Sequence, residues 1–407
     1  MNPALDTPEH HAWLDGQLRS MLAFAQGGIL NSGGFAMLDA SGTPMPDRRP
    51  QLFITARMVH AASVGVLRGI PGSQRLLDHG MASLAQYFAD QEHGGWWSDP
   101  GAGPTQRKMT YDHVHVGLAA SSAAAAGHPD APALIAQVIA IVDTYLWDEG
   151  TGTLRESFAA DWSDEEDYRG ANANMHATEA FLALGDVTGD PMWHERALRI
   201  ADRIINQGAR RLDWLVPEHF DRDWVIDPEY NRDDPDHPFR PYGATYGHLL
   251  EWARFLLNLD ASPAVGGQPW LVEAAVALTE SALDRGWAAD GHPGIVYTVD
   301  WQRRPVSALR MHWPVCEGIQ VTSALARLTD DAHWRSWYAR LWEHARDYFI
   351  DENGQWRNEL DAHLRPSETV WPGRPDVYHC VGAYVVPTVG LSPFLTMAAG
   401  GQTSRLD

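Results

Sequence analysis

The sequence predicts an all-α fold, an (α/α)6 barrel of six helical hairpins joined by short β-hairpin-like loops. Three observations predict it: a repeat near 60 residues, a helical hydrophobic pattern on both sides of each repeat's turn, and a division of the helices into an apolar and a charged set.

The repeat is carried by short segments in which Gly or Asn precedes alternating apolar and polar residues: NSGGFAMLD, EHGGWWSD, GTGTLRESF, RRLDWLVPEHF, GHPGIVYTVD and ENGQWRNELD. Such segments read as small hairpins. One comparable apolar residue in each, Phe35, Trp96, Leu154, Leu215, Ile295 and Trp356, is separated from the next by 61, 58, 61, 80 and 61 positions. The long step holds DRDWVIDPEYNRDDPDHPFR, a Pro- and Asp-rich insertion at 221–240. It is expected at the barrel rim, where an ordered loop would partly cover a pocket and a disordered one would not.

A period of that length accommodates two helices and their connections. The helical pattern precedes the hairpins at 9–27, 73–90, 131–147, 190–207, 267–286 and 331–349. It follows them at 50–70, 110–126, 173–188, 240–259, 310–328 and 376–398. The second set is poor in charge and rich in Ala, Gly and Leu, as in HVGLAASSAAAAG, which suits helices enclosed by protein. The first set carries mixed charge, as in HWRSWYARLWEHARDYF, which suits a solvent-facing stripe. Six inner helices ringed by six outer ones close a barrel; a solenoid of the same period is the alternative, and stopping at six favours closure.

A chain of 407 residues with 44% hydrophobic content can bury one large core, so residues 1–407 are read as a single catalytic domain. A net charge of -22 speaks against nucleic acid or an anionic membrane as partner. MNPALDTPEHHAWLDGQ lacks the basic start and apolar run of a signal peptide, and the longest apolar stretch, ALIAQVIAIV, is about half of what a bilayer requires. A soluble, cytoplasmic monomer or homodimer is the expectation. Only two cysteines, Cys316 and Cys380, agree with that compartment. Lys108 is the only lysine, and there is no GxxxxGK[ST] or GxGxxG for a nucleotide, so no cofactor is expected.

Each inner helix follows a hairpin, so all six N-terminal ends should open at one mouth. Polar residues cluster there: Arg57 in the first inner helix, Tyr111, Asp112 and His113 in the second, Asn172 and His176 in the third. The fourth offers His248 and Glu251, the fifth Trp313 and Glu317, the sixth His379. Steps of three or four put Asn172 with His176, His248 with Glu251, and Trp313 with Glu317 on single faces. One such His is ordinarily a core residue bonded to backbone, and Arg57 alone reads equally well as an ion-pair partner of Glu251 or Glu317. Recurrence on six helices favours a ligand site, because burying so many polar groups is otherwise costly. His113 and His115 in HVH point to different faces, and there is no HExxH or paired Cys, so no metal is expected. The acidic run at 161–167 reads as a solvated loop.

RPQLFITARMVHA, ANANMHATEAFLAL, YGHLLEWARFLL, MHWPVCEGIQ and DVYHC together resemble the N-acylglucosamine 2-epimerase superfamily, and within it the branch of aldose–ketose isomerases that act on mannose. The resemblance spans essentially the whole chain and implies an (α/α)6 barrel with no metal in catalysis. It implies catalytic histidines at His176, His248 and His379, a sugar-binding arginine at Arg57 and acidic partners at Glu251 and Glu317. Tyr111, Asn172, Trp313 and Trp371 match positions that hold the sugar.

The expected chemistry follows. His248, positioned by Glu251, opens the sugar ring; a base removes the C2 proton, and Arg57 holds the charge of the resulting cis-enediolate. If His379 returns the proton to C1, the product is the ketose, so mannose gives fructose. If His248 reprotonates C2 from the other face, the product is the epimer. His176 binds a hydroxyl or orients the substrate. Two rivals stand beside this reading: a glycoside hydrolase recruiting Glu251 and Glu317, and a noncatalytic sugar sensor.

Overall fold

The computed structural model describes residues 4–103 and 106–402. Its outer helices are α1 (Pro8–Ala25), α3 (Ser73–Gln86), α5 (Ala131–Ile141), α7 (Met192–Ala201), α9 (Pro269–Leu283) and α11 (Ala332–His344). Its inner helices are α2 (Leu52–Leu67), α4 (Thr110–Ala125), α6 (Ala171–Thr188), α8 (Tyr246–Asp260), α10 (His312–Thr329) and α12 (Tyr378–Val385), and α13 (Leu395–Ala399) follows. Each inner helix packs on the next, and α12 packs on α2, so the inner ring closes. The outer helices α3, α5, α7, α9 and α11 pack on α2, α4, α6, α8 and α10, and α1 completes the outer ring against α12.

The two sets differ as their compositions require. From Tyr246 to Leu257 every residue of α8 is buried, whereas α3 buries a stripe that includes Leu76, Leu77, Gly80, Met81 and Leu84. Thr7 caps α1 by accepting from the His10 N–H, and Asp331 does the same for α11 at His333. The outer segments expected to reach 147, 207 and 349 run on to 146, 208 and 349 through π turns at Val142–Leu146, Asp202–Gly208 and Ala345–Phe349.

Five of the expected hairpins form, with Ile29 bridging Phe35, Ala89 bridging Trp96, Trp147 pairing Leu154, Trp287 bridging Ile295 and Ile350 bridging Trp356. The fourth does not. Asp213 and Trp214 take positive φ after a 3-10 turn at Ala209–Leu212, and His219–Asp221 pairs instead with Tyr168–Gly170. Leu215 is nevertheless buried like its five counterparts.

Strand pairing between repeats sets where the inner helices begin. Lys108–Met109 before α4 pairs with Ser157–Phe158, and Tyr168–Gly170 before α6 with His219–Asp221. Ala244–Thr245 before α8 pairs with Thr298–Val299, and Arg310–Met311 before α10 with Glu359–Leu360. Each of these four helices is thus pinned at its N-terminal end by the loop of the following repeat.

Three expectations need correction. The fourth inner helix starts at Tyr246 rather than 240, because Pro241, Gly243 at φ +87° and the Ala244–Thr245 strand occupy the intervening stretch. The sixth ends at Val385, since Pro387 and Pro393 cannot continue the backbone ladder, and the chain resumes as α13. The acidic run at 161–167 is not merely solvated: Trp162 is buried, Asp164 pairs with Arg107, Glu165 with Arg155 and Arg169, and Glu166 with Arg240. Among the described residues no helix is long and apolar enough to cross a membrane.

Candidate active site

The mouth formed by the inner-helix N-terminal ends holds a cavity of about 1120 Å³, counting its open side. Arg57 of α2, Tyr111 of α4, Asn172 and His176 of α6, His248 and Glu251 of α8, Trp313 of α10 and His379 of α12 all line it, and so does Trp371 from the loop before α12. Side chains spread over more than 300 positions therefore meet in one place, as the sequence predicts.

Arg57 stands between two helices and a loop. Its Nε donates to His115 Nε2 at 3.0 Å, one terminal nitrogen to Tyr111 Oη at 2.9 Å and the other to Asp376 Oδ2 at 3.2 Å. Burial opposes its charge, but Tyr111 and Asp376 hold the guanidinium protonated. Asp376 answers in kind: burial would raise its carboxyl, and Arg57 holds it below the usual range. The result is a fixed cation facing the cavity beside His176, whose Nε2 is 3.4 Å away.

His379 is set by Glu317. Its Nδ1 lies 2.8 Å from Glu317 Oε1, and the same oxygen accepts from Gln320 Nε2 at 2.9 Å. A carboxylate can only accept, so Nδ1 is assigned the proton and Nε2 presents a lone pair. Burial, reinforced by Arg57, pushes the imidazole down to about 4, although Glu317 pulls the other way. His379 is thereby neutral at neutral pH, the form that accepts a proton. His176 is likewise driven well below its ordinary value by burial and then by Arg57.

His248 is bonded through Nδ1 to Glu218 Oε1 at 2.9 Å. Trp313 packs against both His248 and His379, its ring centroid 5.2 Å from that of His248 and 5.8 Å from that of His379. Gly247 permits this: a Cβ there would come within 2.2 Å of the Trp313 ring.

Insertion residues cover part of the cavity. Pro238 and Phe239 line it, Phe239 packs edge-on against Trp371 and Tyr111, and Asn172 Nδ2 donates to the Phe239 carbonyl at 3.4 Å. Arg240 anchors the segment to Glu166 at 2.7 Å and stacks over Tyr168.

The profile of the N-acylglucosamine 2-epimerase (GlcNAc 2-epimerase) family matches residues 33–383. The chain belongs to this family. It is 45% identical over 403 residues to a D-mannose isomerase of Pseudomonas cannabina pv. alisalensis, covering 98% of this chain and 97% of that one. A crystal structure of a D-mannose isomerase superposes with a TM-score of 0.87 at 27% identity, covering 95% of this chain and 99% of that one. A cellobiose 2-epimerase from Spirochaeta thermophila shares the fold, with a TM-score of 0.79 at 20% identity, covering 95% and 96%.

Within this family member, two expected relationships come out differently. Glu251 does not position His248; the imidazole turns away from its helical neighbour to Glu218, in the loop immediately before the His219–Asp221 strand. Glu317, expected against the sugar, is fully buried beneath the cavity, where Arg254 Nε holds its other oxygen at 2.7 Å. Glu218, Asp376, Arg254 and Phe239 were not singled out from sequence: Glu218, Asp376 and Phe239 act from loops that no helical spacing marks, and Arg254, although one turn from Glu251 on α8, makes its short contact across repeats to Glu317.

Glu251 is a different kind of group. It is buried at the cavity wall with Oε1 lacking a hydrogen-bond partner, 3.9 Å from His176 Nδ1. His176 Nδ1 and Asn172 Oδ1 are also buried without a partner. Orphaned polar atoms on a cavity wall are what a polyhydroxylated ligand would satisfy. Among the described residues, Glu251, Glu317 and His379 could group around a cation, with ligand atoms within 4.8 Å of one another. Both Glu317 oxygens are already engaged by Arg254, His379 and Gln320, so the positive charge at this place is the Arg254 guanidinium. Lys108, by contrast, is structural, buried against Asp90 at 2.6 Å and between Trp97 and Trp162.

Proposed function

We propose that this chain interconverts D-mannose and D-fructose, working as one catalytic unit without a metal. One observation carries the reading: Arg57, His176, His248 and His379 converge on a single cavity in a chain 45% identical, over nearly its full length, to a D-mannose isomerase.

The geometry supports a sequence of proton transfers. His248, with Glu218 behind it, acts at the ring oxygen and anomeric hydroxyl to open the pyranose. His379 Nε2 takes the C2 proton as the C1 aldehyde becomes an enediolate, and Arg57 neutralises the oxygen charge that forms. The same imidazole then delivers that proton to C1 while a second proton passes from the C2 hydroxyl to the C1 oxygen, so the C2 oxygen becomes the ketone, the C1 oxygen becomes a hydroxyl, and no proton is gained or lost overall. Trp313 and Trp371 pack on the sugar's apolar face, and Asn172, His176 and Tyr111 bind hydroxyls.

A second reading, 2-epimerisation, is favoured by two imidazoles, His248 and His379, lining the one cavity, since a second base acting on the other side of C2 would return the proton to the other face. Glycoside hydrolysis through Glu251 and Glu317 is disfavoured, because Glu317 lies under the floor, bonded to Arg254 and His379. Incubation with D-mannose in D2O, followed by NMR, tests the proposal: fructose as first product is expected, and glucose as first product would replace isomerase with epimerase.

A further inference from the structure

Two carboxylates lie close together in a dry setting, Glu251 at the cavity wall and Glu317 beneath the floor. Glu251 and Glu317 are 1% and 0% exposed, and with His379 they share a space in which their donor atoms are within 4.8 Å. Two carboxylates so placed do not both ionise. Arg254, one turn beyond Glu251 on α8, discriminates between them: its Nε is 2.7 Å from Glu317 Oε2, while its terminal nitrogen is 3.9 Å from Glu251 Oε1.

We propose that Arg254 is a positioning residue that allots charge between these two groups: by pairing with Glu317 it fixes His379 as a base through Nε2 and leaves Glu251 a protonated donor facing the sugar. The proposal rests on the isomerase reading above. The ionisation tendencies agree with the geometry. Burial and then the Glu317 charge push Glu251 well above the usual carboxyl range, whereas Arg254 and His379 bring Glu317 down to about 2 against the effect of burial. Glu179 completes the arrangement from the far side, 3.6 Å from Arg254 and accepting a hydrogen bond from the Tyr378 hydroxyl.

Arg254 can also be reached without entering the sugar site. A second cavity, about 1010 Å³ with its open side, lies toward the C-terminal ends of α8 and α10 and has Arg254 and Glu179 among its walls. Asn258, Leu328, Val389 and Phe394 form the approach.

The test is chemical rescue. Arg254→Ala should lower kcat by about 100-fold or more, in the range that a correctly held general base supplies, with KM little changed. Guanidinium at concentrations well below denaturing, entering by the second cavity, should restore part of kcat in a saturable manner. Arg254→Lys should retain more activity than Arg254→Ala, and infrared difference spectra of Arg254→Ala should gain a second carboxylic-acid carbonyl band, assigned to Glu317 by its loss when Glu317→Gln is added, beside the Glu251 band of the wild type. Wild-type kcat in Arg254→Ala overturns the proposal. So does a folded Arg254→Ala protein whose lost activity neither guanidinium nor Lys restores, or whose spectrum gains no Glu317 carboxylic-acid band. If the wild-type enzyme fails to convert mannose, the function reading falls, while the infrared comparison still decides where the proton resides.

Discussion

His379 Nδ1 and Glu317 Oε1 are 2.8 Å apart, and this one bond joins helices α12 and α10 at the floor of the cavity. It fixes the imidazole's tautomer and aims Nε2 at the ligand space. Glu317→Gln keeps the shape and removes the charge, so His379 loses its preference for the productive tautomer. A fall in kcat of about 100-fold with a small change in KM is expected from steady-state kinetics, because the contact is made by the enzyme and not by the sugar.

The pH profile should be displaced toward acid. Burial and Arg57 bring His379 down to about 4, so the base stays neutral through the range where an ordinary histidine, near 6.5, would titrate. kcat/KM should hold level as pH falls past 6.5 and decline only on approach to about 4. A decline centred near 6.5 would assign the C2 proton to a different group.

Stability should respond to the same groups in a defined direction. His10, His60, His113, His344 and His379 are all lowered to about 4, in each case chiefly by burial. A folded value below the unfolded one means the contribution is complete above about 6.5 and is lost progressively as pH falls toward 4. The thermal midpoint is expected to drop between pH 7 and pH 5, measured by scanning calorimetry.

Arg57 holds its place through His115, Tyr111 and Asp376, a set that a lysine ammonium cannot reproduce. Arg57→Lys should lower kcat by about 100-fold to 1000-fold, the range seen when one donor to a developing oxyanion is removed. Dependence of kcat on the substitution, at saturating sugar, separates this from a binding effect.

Phe239 covers the cavity from the insertion and packs on Trp371, Tyr111 and Phe53. Phe239→Ala should raise KM for mannose by about 10-fold, equivalent to about 1.4 kcal/mol of lost contact, with a smaller effect on kcat. An unchanged KM would show that the insertion does not touch the sugar.

The fold was legible because its signals are local and repeated. Phe35, Trp96, Leu154, Leu215, Ile295 and Trp356 recur at nearly constant spacing and are all buried. The six inner helices carry their polar residues near one end, so their convergence could be inferred without knowing any distance. What escaped was nonlocal. Helical spacing paired His248 with Glu251, yet the imidazole bonds Glu218, thirty positions earlier, whose location depends on His219–Asp221 pairing with Tyr168–Gly170. Asp376 and Phe239 are similar cases, loop residues brought to Arg57 and Tyr111 by closure of the ring and by the anchoring of Arg240. Pro387 and Pro393 did mark the break in the last inner helix, and the apolar run around them concealed it.

The most direct test compares wild type with His379→Asn, each incubated with D-mannose in D2O and followed by NMR. Wild type should produce fructose. The variant should bind mannose and unfold at a similar temperature, yet form no fructose and exchange no C2 proton. Fructose formation by His379→Asn at the wild-type rate would contradict the assignment of His379 as the base.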